Sequence, residues 1–134
     1  MKIFVFKVRD EFLGIESQYI HRIIDDSKVT PVCLTPECYE GLLYYRGELF
    51  DVINLASLLG CPTKENIEIQ RIIILKWVNK KMAVIPDDII GMIWTGDDSE
   101  DQTVCHYEGQ VVRLLNPDDI WKKLTGLFYG SNKI

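Results

Sequence analysis

The sequence contains no apolar run close to the roughly 18 residues that cross a bilayer, so membrane insertion is not expected. Its start, Met1-Lys2-Ile3-Phe4-Val5-Phe6-Lys7, returns to charge too soon for a signal peptide and leads to no small-residue cleavage site. The four cysteines, Cys33, Cys38, Cys61 and Cys105, include no closely spaced pair of the kind that holds structural zinc. Without an export signal they are expected to be reduced thiols, mostly buried as small apolar groups. The two histidines, His21 and His106, are scattered. Cys105 and His106 are adjacent, which in a strand turns them to opposite faces and away from each other. There is no surplus of basic groups either. Against 20 Asp and Glu stand 15 Lys and Arg, a net charge of −5, which excludes nucleic acid as the main partner. Glycine loops that cradle phosphate, G-x-S-x-G elbows and H-E-x-x-H helices are all missing. Neither catalysis, a metal nor a cofactor is expected, and the location is expected to be cytoplasmic.

What is present is a set of short β-strands. With 134 residues, 47% of them apolar, the chain can bury one modest core or two very small ones. Ile3-Phe4-Val5-Phe6 and Ile72-Ile73-Ile74-Leu75 are short runs rich in β-branched and aromatic residues. Each passes through a polar turn into a second strand, Phe12-Leu13-Gly14-Ile15 and Met82-Ala83-Val84-Ile85, so each predicts a hairpin. Further strands are expected at 19–25, 41–45, 48–54, 89–94, 103–107 and 110–115. Helix signals are few: a short piece at 54–59 closed by Gly60, and one at 117–124 with Asn116 as N-cap and Pro117 in its first turn. The run Asp97-Asp98-Ser99-Glu100-Asp101 lacks the spacing and central glycine of a calcium loop and is expected to be a solvated turn.

The pattern occurs twice. Gly47-Glu48-Leu49-Phe50-Asp51-Val52-Ile53-Asn54 recurs as Gly109-Gln110-Val111-Val112-Arg113-Leu114-Leu115-Asn116, and Ile20-His21-Arg22-Ile23-Ile24 aligns with Ile89-Ile90-Gly91-Met92-Ile93. The offset is about 69 residues in the early elements and 62 in the late one, so the first copy carries extra residues around Thr30-Pro31 and Thr35-Pro36. The expected fold is therefore mainly β: two small five-stranded barrels packed together, with short helices after the strands. Residues 1–134 are read as one domain, with halves at 1–60 and 68–134 joined by a linker at 61–67; exchange of strands between the halves is left open. A chain of this kind is a binding module.

The segment Thr35-Pro36-x-x-x-x-Gly41-Leu42-x-x-x-Arg46-Gly47-x-x-x-x-Val52-Ile53-Asn54-Leu55 resembles the chemotaxis coupling-protein (CheW-like) family. Phe4-x-Phe6, Gly14-Ile15, Ile20-x-x-Ile23 and Asp87-x-Ile89 extend the likeness over roughly 3–125. The resemblance implies SH3-like barrels and a non-catalytic, stand-alone adaptor. Its partners would be the cytoplasmic hairpin tip of transmembrane chemoreceptors and the regulatory domain of a histidine kinase. It also implies a partner surface on Ile20, Arg22, Ile23, Leu42, Tyr44, Arg46 and Gly47. Gly47 is expected to permit the tight reversal that sets Arg46 at an exposed corner, and Gly41 to allow a close backbone approach. Ile20 and Ile23 flank Arg22 in a strand whose two faces cannot share one core, so at least one of these isoleucines is expected to face the kinase domain. Three positions depart from the family pattern: Arg22 stands where an acidic residue is usual, Asp51 where a proline is, and Asn54 where an aspartate is. Two alternatives follow. One is a related scaffold of another signalling system. The other is a small-molecule-binding barrel with a pocket lined by Trp77, Trp94 or Tyr107.

Overall fold

Strand β1 (Lys2–Val8) is buried on both sides, which is why its sequence shows no alternation of apolar and polar residues. Phe4, Phe6 and Val8 enter one apolar cluster, and Ile3 and Val5 enter another. In the computed structural model the described residues are 2–25, 28–60, 71–95 and 103–130, without the side chains of 128–130. The expected linker at 61–67, Cys61 and the acidic run at 97–101 lie outside them.

After β1 come β2 (Glu11–Glu16), a 3-10 turn at Ser17–Tyr19, β3 (Ile20–Asp25), β4 (Val29–Thr30), β5 (Tyr39–Tyr45), β6 (Glu48–Asn54) and α1 (Leu55–Leu58). The second copy supplies β7 (Arg71–Trp77), β8 (Lys80–Ile85), β9 (Asp88–Trp94), β10 (Val104–Tyr107), β11 (Gln110–Leu114) and α2 (Pro117–Gly130). The chain is mainly β, in two sheets with few helices. One sheet has five strands in the order β10-β11-β2-β1-β9, and the other has six in the order β3-β7-β8-β6-β5-β4.

Aligned by the repeat, the two sheets have the same construction. β1–β2 sits between β9 and β11, and β7–β8 sits between β3 and β6. Each sheet therefore takes its central hairpin from one copy and its flanking strands from the other. The registers agree to the residue. Ile93 pairs with Ile3 as Ile24 pairs with Ile72, and Leu114 pairs with Gly14 as Val52 pairs with Ala83. Even the irregularity is repeated: pairing shifts between Ile20 and Arg22 in β3, and at the equivalent place, between Ile89 and Gly91, in β9. A chance likeness between two β-meanders would not preserve a bulge.

Among the described residues three apolar clusters result. Ile72, Ile74, Phe50, Val52 and Leu43 lie within the six-stranded sheet, and Ile3, Val5, Ile93 and Val112 within the five-stranded one. The cluster between the sheets is the largest, with 17 buried residues against eight and five. It takes Phe4, Phe6, Leu13 and Ile15 from one sheet and Ile73, Leu75, Trp77 and Val84 from the other. A fully buried side chain of this size contributes about 1.5–3 kcal/mol relative to exposure, so cohesion resides chiefly between the sheets.

Two features differ from the sequence expectation. β4 is too short to show a periodic pattern, yet it adds a sixth strand by pairing Val29 with Leu43 and Thr30 with Leu42. Helix α2 extends to Gly130 instead of stopping near 124. Asn116 Oδ1 accepts from the Asp118 N–H at 2.9 Å, Asp118 and Lys122 pair across one turn, and Ile120 and Leu124 anchor the helix on the central cluster. The shorter α1 is capped by Asn54, whose Oδ1 accepts from the Ser57 N–H at 3.3 Å. Cys38 and Cys105 are buried as expected, whereas Cys33 is exposed. Burial pushes both buried thiols above their ordinary pKa.

Candidate protein-binding surface

The residues singled out from the sequence fall into two groups on the six-stranded sheet. Ile20, Arg22 and Ile23 belong to β3, an edge strand. Leu42 and Tyr44 belong to β5, and Arg46 and Gly47 form its turn into β6. In the sheet order β7, β8 and β6 stand between β3 and β5.

On β3 the two faces do enter cores, but different ones. Ile20 is half-buried against the central cluster, and Ile24 is buried within the six-stranded sheet. Ile23 pairs with Ile73 and stays 37% exposed, because among the described residues β3 has a strand on one side and none on the other. Arg22 is exposed. Of the two isoleucines, Ile23 is the one left facing outward.

Near its turn the β5–β6 ribbon alternates between a buried and an exposed side. Leu43 and Phe50 are paired and face the sheet's own core. On the reverse side Tyr44 pairs with Leu49, and they are 69% and 56% exposed. Half-buried Leu42 sits opposite Asp51 on the same side. Asp51 accepts from the Tyr39 hydroxyl at 2.6 Å; burial first, and that carboxylate second, raise the Tyr39 pKa above its ordinary value. The turn is left-handed at both residues, with φ +48° at Arg46 and +82° at Gly47, the geometry of a two-residue hairpin turn. Arg46 is thereby exposed, its guanidinium 5.3 Å from the Tyr45 ring centre.

Leu49 escaped the sequence reading, as did the second copy of this surface. By the repeat, Tyr44 and Leu49 correspond to His106 and Val111, Leu42 to Val104, and Ile23 to Met92; all four counterparts are exposed. Ile90, 38% exposed, and Trp94, 77% exposed, extend the β9 edge. The Arg46-Gly47 turn is matched by Glu108-Gly109, with φ +47° and +77°, the same turn with its charge reversed. The repeat offset alone locates them in the sequence, whereas the family motif covers the first copy.

Of the aromatics offered as alternatives for a pocket lining, Trp77 borders a groove and Trp94 and Tyr107 lie away from it. Trp77 is buried, edge-on to Trp121 at 6.2 Å, whereas Trp94 lies at the β9 edge with the Lys2 ammonium over its ring. A groove of about 510 Å³ runs past Trp77, between Gln18, Tyr19, Lys76, Val78, Asn116 and Asp118, and neither Trp94 nor Tyr107 reaches it. Among the described residues no three His, Cys, Asp or Glu side chains are grouped to hold a metal, and no helix is long and apolar enough to cross a membrane.

Asp118 ties the start of α2 to the β7–β8 hairpin. It accepts from Lys80 Nζ at 2.9 Å and from Trp77 Nε1 at 3.4 Å, and pairs with Lys122 at 3.2 Å. Lys80 first, then Lys122 and Trp77, pull its pKa from 3.8 to about 2. A carboxylate with a depressed folded-state pKa stabilises the fold above its unfolded value, and that contribution disappears as pH falls through the folded value. Urea midpoints of Asp118→Asn and the parent should therefore differ at pH 7, converge as pH falls from about 3.8 through 2, and meet only below the folded value. A gap as large at pH 2 as at pH 7 would assign the effect to something other than ionisation.

Comparison with known proteins follows the same lines. A CheW-like domain model matches residues 2–115. The Chemotaxis protein CheW of Thermotoga maritima is 24% identical over 136 residues, covering 92% of this chain and 89% of that protein. The crystal structure of the scaffolding protein TtCheW from Thermoanaerobacter tengcongensis superposes with a TM-score of 0.76 at 23% identity, over 86% of this chain and 88% of that one. At that identity the superposition establishes the fold.

Proposed function

Because the chain belongs to the CheW-like domain family, we propose that it is a non-catalytic cytoplasmic adaptor that couples transmembrane chemoreceptors to a histidine kinase in chemotaxis. The observation that carries this reading is the exposed β5–β6 ribbon, where Tyr44 and Leu49 lie beside the Arg46-Gly47 turn on a rigid frame. Such a surface suits a coiled-coil-like hairpin tip, with apolar residues packing on the ribbon and Arg46 meeting a carboxylate. β3, with Ile20, Arg22 and Ile23, is the side turned to the kinase's regulatory domain. The two sheets are read as two SH3-like barrels within one domain, 1–134, its halves at 1–60 and 68–134 having exchanged their hairpins.

Binding of the purified chain to its own organism's receptor tip and kinase regulatory domain tests the proposal. Arg46→Glu together with Tyr44→Ala should weaken tip binding at least tenfold, as removal of an exposed aromatic anchor and reversal of a rim charge typically do. Failure of the parent to bind either partner would overturn it. A second reading, a scaffold of another signalling system, is favoured by Arg22 alone and predicts that Arg22→Glu binds standard chemotaxis partners better than the parent does.

A further inference from the structure

The arginines of this chain divide in a way that the fold does not require. Arg9 pairs with Asp87 at 3.5 Å, Arg71 with Asp25 at 3.5 Å, and Arg113 with Glu11 at 3.7 Å. Arg46 has the Tyr45 ring. Among the described residues Arg22 has neither a carboxylate nor a ring against it, in a chain whose carboxylates outnumber its basic groups 20 to 15. A guanidinium offers five donors in a planar fork matched to carboxylate, and it is less strongly hydrated than an ammonium. Left exposed beside exposed Ile23 on an edge strand, it has the composition of an interface residue.

A structural role at the edge is the competing explanation, since charges on edge strands discourage unwanted pairing. The repeat argues against it. β9 is the same edge strand with the same irregularity, and there the position of Arg22 is taken by Gly91. From Ile89 to Trp94 that strand carries no charged side chain, although Ile90, Met92 and Trp94 are exposed. The architecture is thus built once with the cation and once without it.

We infer that Arg22 is a specificity determinant: the partner surface that docks on β3 presents a carboxylate to it, and Arg22 selects that surface over one bearing a basic residue. This rests on the adaptor reading and deepens it, the partner being the kinase regulatory domain and the carboxylate the feature of its docking surface that Arg22 selects. Arg22→Glu keeps a charge on the edge and reverses its sign, so a purely protective role would survive the change while recognition would not.

The experiment measures affinity of the parent, Arg22→Lys and Arg22→Glu for the organism's own kinase regulatory domain at two salt concentrations, with thermal melts confirming that each variant is folded. Arg22→Glu should bind about tenfold more weakly with less salt dependence, and Arg22→Lys should fall between the two. One Asp→Lys or Glu→Lys substitution on the regulatory domain should restore the affinity of Arg22→Glu and weaken that of the parent. Equal binding of all three forms, or loss with no rescue by any single reversal, overturns the inference and leaves the adaptor reading standing. A parent that binds neither regulatory domain nor receptor tip overturns both.

Discussion

Replacing Gly41 with alanine should cost about 3 kcal/mol and lower the melting temperature by roughly 10 °C. Two effects combine at this position. Its φ is +138°, a conformation that side-chain-bearing residues rarely adopt, and a Cβ built there would lie 2.1 Å from the Thr30 carbonyl oxygen and 2.7 Å from its carbon. The obstacle is backbone, fixed by the pairing of Thr30 with Leu42, so it cannot rotate aside. Gly47→Ala is the matched control: φ is +82° but nothing lies within 4 Å of the added carbon, and about 1 kcal/mol is expected. Calorimetry of the two variants separates collision from backbone strain. Equal losses would mean that the approach of β4 to β5 is looser than 2.1 Å implies. The repeat explains why the glycine is needed once only. Its counterpart is Thr103, and among the described residues no strand like β4 lies on β10.

Phe6→Ala should have the other large effect, about 3–5 kcal/mol, out of a total stability of 5–15 kcal/mol for an ordinary domain. Phe6 is fully buried in the cluster that joins the sheets, with Leu13 and Ile15 from its own sheet and Ile73 and Leu75 from the other. The cavity is therefore shared by both sheets. Unfolding in urea should remain a single transition at a much lower midpoint, with tryptophan fluorescence from Trp77 and Trp121 coinciding with far-ultraviolet circular dichroism. Two separated transitions would show that the sheets unfold independently, against the cohesion assigned to the central cluster.

Much of this architecture is legible in the residues, and what is not has identifiable physical causes. Strands buried on both faces announce themselves as unbroken apolar runs, and the polar turns after them fix the two hairpins. The Arg46-Gly47 corner is legible because glycine readily takes the left-handed turn. Exchange of the hairpins is not legible. β1–β2 offers the same residues to a sheet whether its neighbours come from its own copy or the other, so both arrangements write the same local pattern. Nor does alternation reveal which exposed faces stay uncovered. It places Tyr44 and Leu49 together on one side of the ribbon, yet that Leu42 beside them is half-buried emerges only from the tertiary structure. Of the surface singled out in advance, the turn and Tyr44 stand out as exposed, Ile20 is half-buried on the central cluster, and Leu49 and the second-copy residues were overlooked.

The hairpin exchange also sets a timetable for synthesis. Both neighbours of the β1–β2 hairpin in its sheet, β9 and β11, lie downstream, and Gly14 waits for Leu114 as its partner. At translation rates of roughly 5–20 residues per second, that delay is about 5–20 s. Until β11 arrives β2 lacks its outer neighbour, and until β9 arrives the hairpin is a bare two-stranded ribbon, a form marginal in water on its own; Phe4, Phe6, Leu13 and Ile15 wait for Ile73, Leu75, Trp77 and Val84 of β7–β8 to complete their cover. A nascent chain of this design offers an apolar hairpin to chaperones until strands made much later reach it, β9 first and β11 after it.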